Sequence, residues 1–215
     1  SGLVGSEMCI RDRGTSLVKS GTWLLDTVIE KDNLVESAKK SGITIHCGDL
    51  VSICSIKFFE LDPSKWRYKG RITFRGDTVK DQDGAKAVLQ DLKSSPTSIY
   101  DANSAIAYGL LPGHKTTVAD AIRAYIQSLL RSKHKTWVRI PKELWPEDGS
   151  WNGKYVRPMC LLERALYGHP ESGAHWEQHL TKAIKLMGGE LVENHPSCFW
   201  FEKQRLLCVV YVDDL

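Results

Sequence analysis

The stretch LLCVVYVDDL (206–215) decides how the chain is read. Its apolar, partly β-branched run predicts a buried strand, and the strand runs straight into two adjacent acids, Asp213 and Asp214. Neighbouring carboxylates repel, and neither can be buried ionised without compensation. A hairpin tip at a solvent-facing cleft presents both at low cost. There they suit hard divalent cations such as Mg²⁺, which keeps several waters and takes one or two carboxylates per ion. The bland alternative is a solvated acidic turn at a strand end. An aromatic-x-Asp-Asp pattern is too loose to decide between the two by itself.

Outward from that strand, "ELVE", "SCFWFEK" and "LLCVVYV" predict three short strands in succession. "HPESGAHWEQHLTKAIKLMGG" (169–189) predicts a helix with Trp176, Leu180, Ala183, Ile184 and Met187 on one side, ended by Gly188-Gly189. "RPMCLLERALYG" (157–168) begins extended and ends helical, and "KTWVRIP" (135–141) is a strand followed by a Trp/Pro/Gly-rich loop. "KTTVADAIRAYIQSLL" (115–130) fits strand or helix equally. "TSIYDANSAIAYGLLPG" (97–113) predicts a helix with Ile99, Ala102, Ile106 and Leu110 inward, and residues 80–96 a polar loop entering a short helix. "LVSICSIKFFEL" (50–61) and "RYKGRITFRGD" (67–77) flank the turn signal "DPSKW" and predict an antiparallel hairpin. On its second strand Tyr68, Ile72 and Phe74 alternate with Lys69, Arg71 and Arg75, so one face carries cations. Residues 24–42 have mixed helical spacing and close at "KKSG", with Gly42 as a helix cap. The order of elements predicts an α+β fold.

The hydrophobic share of 42% and charged share of 26% are those of an ordinary globular chain, and no stretch approaches the roughly 18 apolar residues of a membrane span. A net charge of +3 is compatible with a nucleic-acid partner without arguing for one. The six cysteines are scattered without a C-x-x-C pair and read as buried thiols of a reducing compartment. His195 and Cys198 have a metal-like gap but no second pair to complete a zinc site. Residues 1–13, "SGLVGSEMCIRDR", continue into no clear periodic pattern; they read as a non-native, adapter-derived tail or an ordinary disordered terminus, which leaves 14–215 as the domain.

Several segments together resemble one family, the reverse transcriptases of copia-type LTR retrotransposons. "YVDDL" (211–215) resembles the catalytic Y-x-D-D hairpin. "ALYGHPESGAHW" (165–176) resembles A-L-Y-G-L-K-Q-A-P-R-A-W, and "DAIRAYIQ" (120–127) resembles D-V-K-T-A-F-L. "YKGRITFRGD" (68–77) is similar to the fingers strand K-A-R-L-V-A-K-G, "HPSCFWF" (195–201) to D-P-C-L-F, and "GTW" (21–23) to N-G-T-W. The wording of the segments is similar to copia-like elements abundant in dinoflagellate genomes.

The resemblance, which spans residues 21–215, implies the fingers and part of the palm of a right-hand polymerase. It implies nucleotidyl transfer to a primer 3′-hydroxyl with two Mg²⁺ ions, or Mn²⁺ in their place. Asp120, Asp213 and Asp214 would be the catalytic metal ligands, with the carbonyl of Ala121 on the nucleotide-side ion. Lys69 and Arg71 would reach the triphosphate, and Arg75 would do so if the register slips by two. Tyr125 would lie under the incoming sugar, Tyr167 and Gly168 at the nucleotide and template, and Tyr211 beside the primer end. Trp176 would pack as core beneath the segment. Pro170 and Gly173 depart from the family's Lys and Pro, which loosens the expected local backbone. The implied partners are an RNA or DNA template with its primer and deoxynucleoside triphosphates, with RNase H and integrase as parts of a longer polyprotein. The implied setting is intracellular, in a cytoplasmic retroelement particle or the nucleus. Ending at the hairpin, the chain is expected to be a fragment, inactive alone. The competing expectations are a decayed or captured pseudo-enzyme with residual nucleic-acid binding, and an unrelated partner-binding α+β domain.

Overall fold

The computed structural model describes residues 2–90 and 96–214. In chain order the elements are α1 (Gly2–Lys19), β1 (Trp23–Glu30), α2 (Lys31–Ser41), β2 (Ile45–Lys57), β3 (Arg67–Phe74), α3 (Ile99–Gly109), α4 (Ala124–Gln127), β4 (Lys135–Arg139), β5 (Pro158–Leu162), α5 (Ser172–Leu186), β6 (Glu190–Leu191), β7 (Cys198–Phe201) and β8 (Leu206–Val209). The fold is mixed α+β. One sheet has the strand order β1-β5-β4-β2-β3, and a second, smaller one the order β6-β7-β8. Among the described residues only β2 and β4 pair in parallel, Cys47 opposite Trp137; every other neighbouring strand pair is antiparallel.

The predicted hairpin β2–β3 forms, in a register that sets Ile53 opposite Arg71 and Ser55 opposite Lys69. Its first strand runs from Ile45 to Lys57 rather than over 50–61, because the chain turns at Phe58, φ +61°. Asp62 fixes its turn by accepting from the amide of Ser64 at 2.9 Å. On β3, Ile72 and Phe74 are buried while Lys69 and Arg71 stand exposed. Leu17, Trp23, Leu50, Ile72, Phe74, Val138, Ile140, Cys160 and Leu162 form the main core. A second core joins α2 to the first sheet through Leu34, Ala38, Ile45, Cys47 and Met159. A third packs α5 on the small sheet through Ile184, Phe199, Phe201 and Val210. Cys47, Cys160 and Cys198 are buried free thiols, and burial pushes each above its ordinary value.

Several elements differ from the sequence reading. Residues 24–30, expected at helical spacing, lie in β1 because Trp23 and Leu24 pair with Leu162 and Leu161; sheet pairing overrides helical spacing there. The helix proper starts at Lys31 and ends, as predicted, at Gly42 in the left-handed region. Residues 80–90 form turns and bridges, with Lys80 exchanging hydrogen bonds with Cys47 at 2.7 and 3.0 Å, instead of entering a helix; residues 91–95 lie outside the described residues. The end of 157–168 is a turn rather than a helix, since Gly168 has φ +90°. Within 115–130 only α4 is regular, flanked by isolated bridges at Asp120 and Leu129.

The helix α3 faces the other way from its predicted stripe: Ile99 is 72% exposed and Leu110 81%. Polar contacts orient it instead. Asp101 forms a capping box with Ser98 and meets His195 Nδ1 at 2.5 Å, while the Tyr108 hydroxyl donates to the Arg205 carbonyl at 2.9 Å. These two partners lie on the small sheet's loops. Residues set outside the fold by the sequence reading are helical here, and Gly70 of β3 lies so close to α1 that an added Cβ would stand 2.4 Å from the Cys9 carbonyl oxygen. No described helix is long and apolar enough to cross a membrane.

Candidate functional site

After β8 the chain closes a tight turn. Tyr211 N donates to Asp214 O at 2.8 Å, and Asp214 N returns to Tyr211 O at 3.0 Å. Val212 and Asp213 occupy the corners, and Val212 has φ +59°. Hairpin turns of this kind call for positive φ, which glycine, asparagine or aspartate supply cheaply and a β-branched residue does not. Trp176 of α5, 3% exposed, donates its indole N–H to the Val212 carbonyl at 2.6 Å. Tyr211, Val212, Asp213 and Asp214 are otherwise open to solvent.

The turn meets the loop before α4. Asp120 and Asp214 form an antiparallel bridge, and Ala121 N donates to Asp213 O at 2.7 Å. Acids far apart in sequence thus stand on adjoining backbone. Tyr125, in α4, is half-buried with its ring edge-on to Tyr167, centroids 5.8 Å apart. Burial first, then the neighbouring Tyr167 and Asp213, push its phenol above the ordinary value. Asp120, Ala121, Tyr125, Tyr167, Asp213 and Tyr211 therefore belong to one region.

Gly168 ties that region to the first sheet. An added Cβ would lie 2.1 Å from the Phe74 carbonyl oxygen, and Phe74 N donates to Tyr167 O at 2.8 Å. Glycine is required both by its φ and by this approach. The departures at Pro170 and Gly173 do not disrupt the segment: Ser172 Oγ bonds both the amide and the carbonyl of Leu166, at 2.9 and 2.8 Å.

The three cations are placed less closely. Lys69 and Arg71 lie on the exposed face of β3, and Lys57, then burial, then Arg71 hold the Lys69 ammonium below its ordinary value. Arg75 pairs with Asp77 at 3.3 Å. Among the described residues none of the three forms an ion pair with Asp120, Asp213 or Asp214.

Among the described residues no three His, Cys, Asp or Glu side chains converge closely enough to hold a metal by themselves. The donors gathered at the bridge are nonetheless all carboxylate and carbonyl oxygens, exposed to solvent. That chemistry fits Mg²⁺ or Mn²⁺, which fill their remaining positions with water and phosphate.

The sequence reading missed a buried polar cluster beneath Gly168. Glu171, 1% exposed, accepts from Gln90 N at 2.9 Å and from the Ser132 hydroxyl, with His175 Nε2 at 3.7 Å. His169 Nδ1 accepts from Glu171 N at 3.2 Å, and its Nε2 meets Thr136 Oγ1 at 3.2 Å. The signal was present as His169, Glu171 and His175 at close spacing in a segment otherwise read for its family motif.

Comparison of the chain with models of known protein families, with curated proteins and with solved structures gave no match.

Proposed function

We propose that the chain is the fingers and partial palm of a copia-type retrotransposon reverse transcriptase, an RNA- and DNA-directed DNA polymerase. The observation that carries this reading is the meeting of Asp120 with the Asp213-Asp214 turn through a backbone bridge. A solvated acidic turn has no need of a third acid from a distant loop. The motif order in the sequence supports the same assignment.

Asp120, Asp213 and Asp214 would hold the divalent ions, Mg²⁺ or Mn²⁺. When bound, such ions activate a primer 3′-hydroxyl and stabilise the leaving pyrophosphate of an in-line displacement. The chain's own contributions are positional. The Ala121–Asp213 bond fixes the loop acid against the turn acids. Tyr125, ring-packed on Tyr167, would lie under the incoming sugar, its ring excluding a 2′-hydroxyl. Gly168 lets the Phe74 backbone of β3 pack closely on the segment that would face nucleotide and template. The exposed Lys69 and Arg71 face would supply positive charge for a triphosphate. Template, primer and deoxynucleotides are the partners, with RNase H and integrase elsewhere in the polyprotein, in a cytoplasmic particle or the nucleus.

The second reading, a decayed copy with residual nucleic-acid binding, draws on the failure of three side chains to converge. Primer extension by the polyprotein carrying this chain separates the two. The polymerase reading expects extension that Asp213→Asn abolishes while duplex binding is retained. Extension that survives Asp213→Asn would refute the metal assignment, and a polyprotein that binds but never extends would support decay.

A further inference from the structure

Val212 sits at φ +59°, a backbone region that a β-branched residue occupies only when its surroundings enforce it. The packing beneath the turn does not do so alone. A cavity of about 50 Å³ lies there, lined by Tyr125, Trp176, Leu180, Phe199, Val210 and Val212. The contact that crosses to the turn is the 2.6 Å bond from Trp176 Nε1 to the Val212 carbonyl. An indole nitrogen only donates, so this bond requires the carbonyl to point toward α5. Turning the Val212–Asp213 peptide the other way, by rotation at ψ of Val212 and φ of Asp213, breaks it. Trp176 itself is rigid: it is buried on the first turns of α5, its ring stacked on His179 with centroids 5.9 Å apart. Trp23 offers the contrast. It is 1% exposed, and among the described residues its Nε1 has no hydrogen-bond partner.

We infer that Trp176 is a positioning residue for the acidic turn: its indole N–H holds the Val212–Asp213 peptide in place against the strain at Val212 and so sets Asp213 and Asp214 against Asp120. As a statement about the turn this stands on the geometry; as a statement about metal binding it rests on the polymerase reading above.

The test uses the 215-residue chain and two readouts. The first is amide hydrogen exchange at Ala121, whose N–H donates to Asp213. Trp176→Phe keeps a ring and removes the donor; it should raise Ala121 exchange about tenfold while leaving the circular dichroism unchanged. Adding Val212→Gly, which adopts positive φ freely, should return the rate to within about twofold of the original. Trp23→Phe should leave Ala121 unaffected. The second readout is Mn²⁺ affinity, which Trp176→Phe should lower about fivefold and Val212→Gly should restore. An unchanged Ala121 rate in Trp176→Phe, or a rise that Val212→Gly does not reverse, would show that Trp176 is core and overturn the inference. If Trp176→Phe does not fold, exchange of the Trp176 indole proton in the unmutated chain decides: protection matching that of Ala121 supports the lock, and rapid exchange overturns it. Should the unmutated chain bind no Mn²⁺, the metal reading fails while the exchange data still decide the role of Trp176.

Discussion

The amide of Ala121 donates to the carbonyl of Asp213 at 2.7 Å, which makes a loop and a distant turn one piece of backbone. The bond is the middle of a short ladder, because Asp120 bridges Asp214 and Asp214 in turn bridges Tyr211. Three acids on one such ladder repel one another, and a cation or a phosphate-bound metal relieves that repulsion. On the polymerase reading, the divalent ions proposed above supply that relief.

Ala121→Pro deletes the donor and leaves the carboxylates intact. A proline at 121 still favours an extended Asp120, as the bridge requires. The expected result is a loss of Mn²⁺ affinity by about tenfold or more, with a thermal midpoint within about 3 °C of the original. A large fall in midpoint would mean that the ladder holds the fold rather than the acids.

His169 predicts a pH dependence of stability. Burial pushes its imidazole down to about 4, with the neighbouring Glu171 pulling the other way. Its Nδ1 accepts an N–H, so a second proton there would face a donor. The unfolded chain has the ordinary value near 6.5 and binds the proton first. The stability from this group is present above pH 6.5 and is lost as pH falls from about 6.5 towards 4, in total on the order of 3 kcal/mol. His46, also lowered by burial and by His134, adds the same sign. Urea midpoints should fall between pH 7 and pH 5, and His169→Asn should flatten that slope; midpoints constant over the interval would contradict the buried, neutral His169.

Gly168→Ala places a Cβ 2.1 Å from the Phe74 carbonyl oxygen at φ +90°. Backbone meets backbone there, so no side chain can yield. A loss of about 2–4 kcal/mol in urea unfolding is expected. Because the clash parts β3 from the turn segment, the Tyr125–Tyr167 contact should loosen as well, read from the Tyr167 ring resonances.

Glu171→Ala leaves the Gln90 amide and the Ser132 hydroxyl without their buried acceptor. Calorimetry should record a loss of about 2–4 kcal/mol, against about 1 kcal/mol for Glu171→Gln, which keeps one oxygen. Equal losses in the two variants would mean that volume, not acceptance, is what the site needs.

Legibility followed local physics. The hairpin β2–β3, the Gly42 cap, α5 and the three closing strands were readable because alternation, turn residues and helical spacing all agree there. The exception is Met187, expected on the inward side of α5, which lies past its end and is 64% exposed. β1 was not, since Trp23 and Leu24 are strand residues only by virtue of Leu162 and Leu161 opposite them. The facing of α3 was inverted because Asp101 and Tyr108 find polar partners on distant loops, which no periodicity announces. At the site, the meeting of Asp120 with Asp214 was expected from the resemblance alone, since spacing says nothing across so long a gap. The φ of Val212 and the bond from Trp176 are properties of the folded turn and leave no mark in composition.

The most direct measurement is a Mn²⁺ titration of the ¹⁵N-labelled chain, following paramagnetic broadening residue by residue. If the three aspartates form one site, the amides of Ala121, Val212, Asp213 and Asp214 broaden first and together. Either Asp120→Asn or Asp213→Asn alone then weakens the effect at all four. Broadening at the turn that Asp120→Asn leaves untouched, or broadening centred elsewhere, would contradict the account.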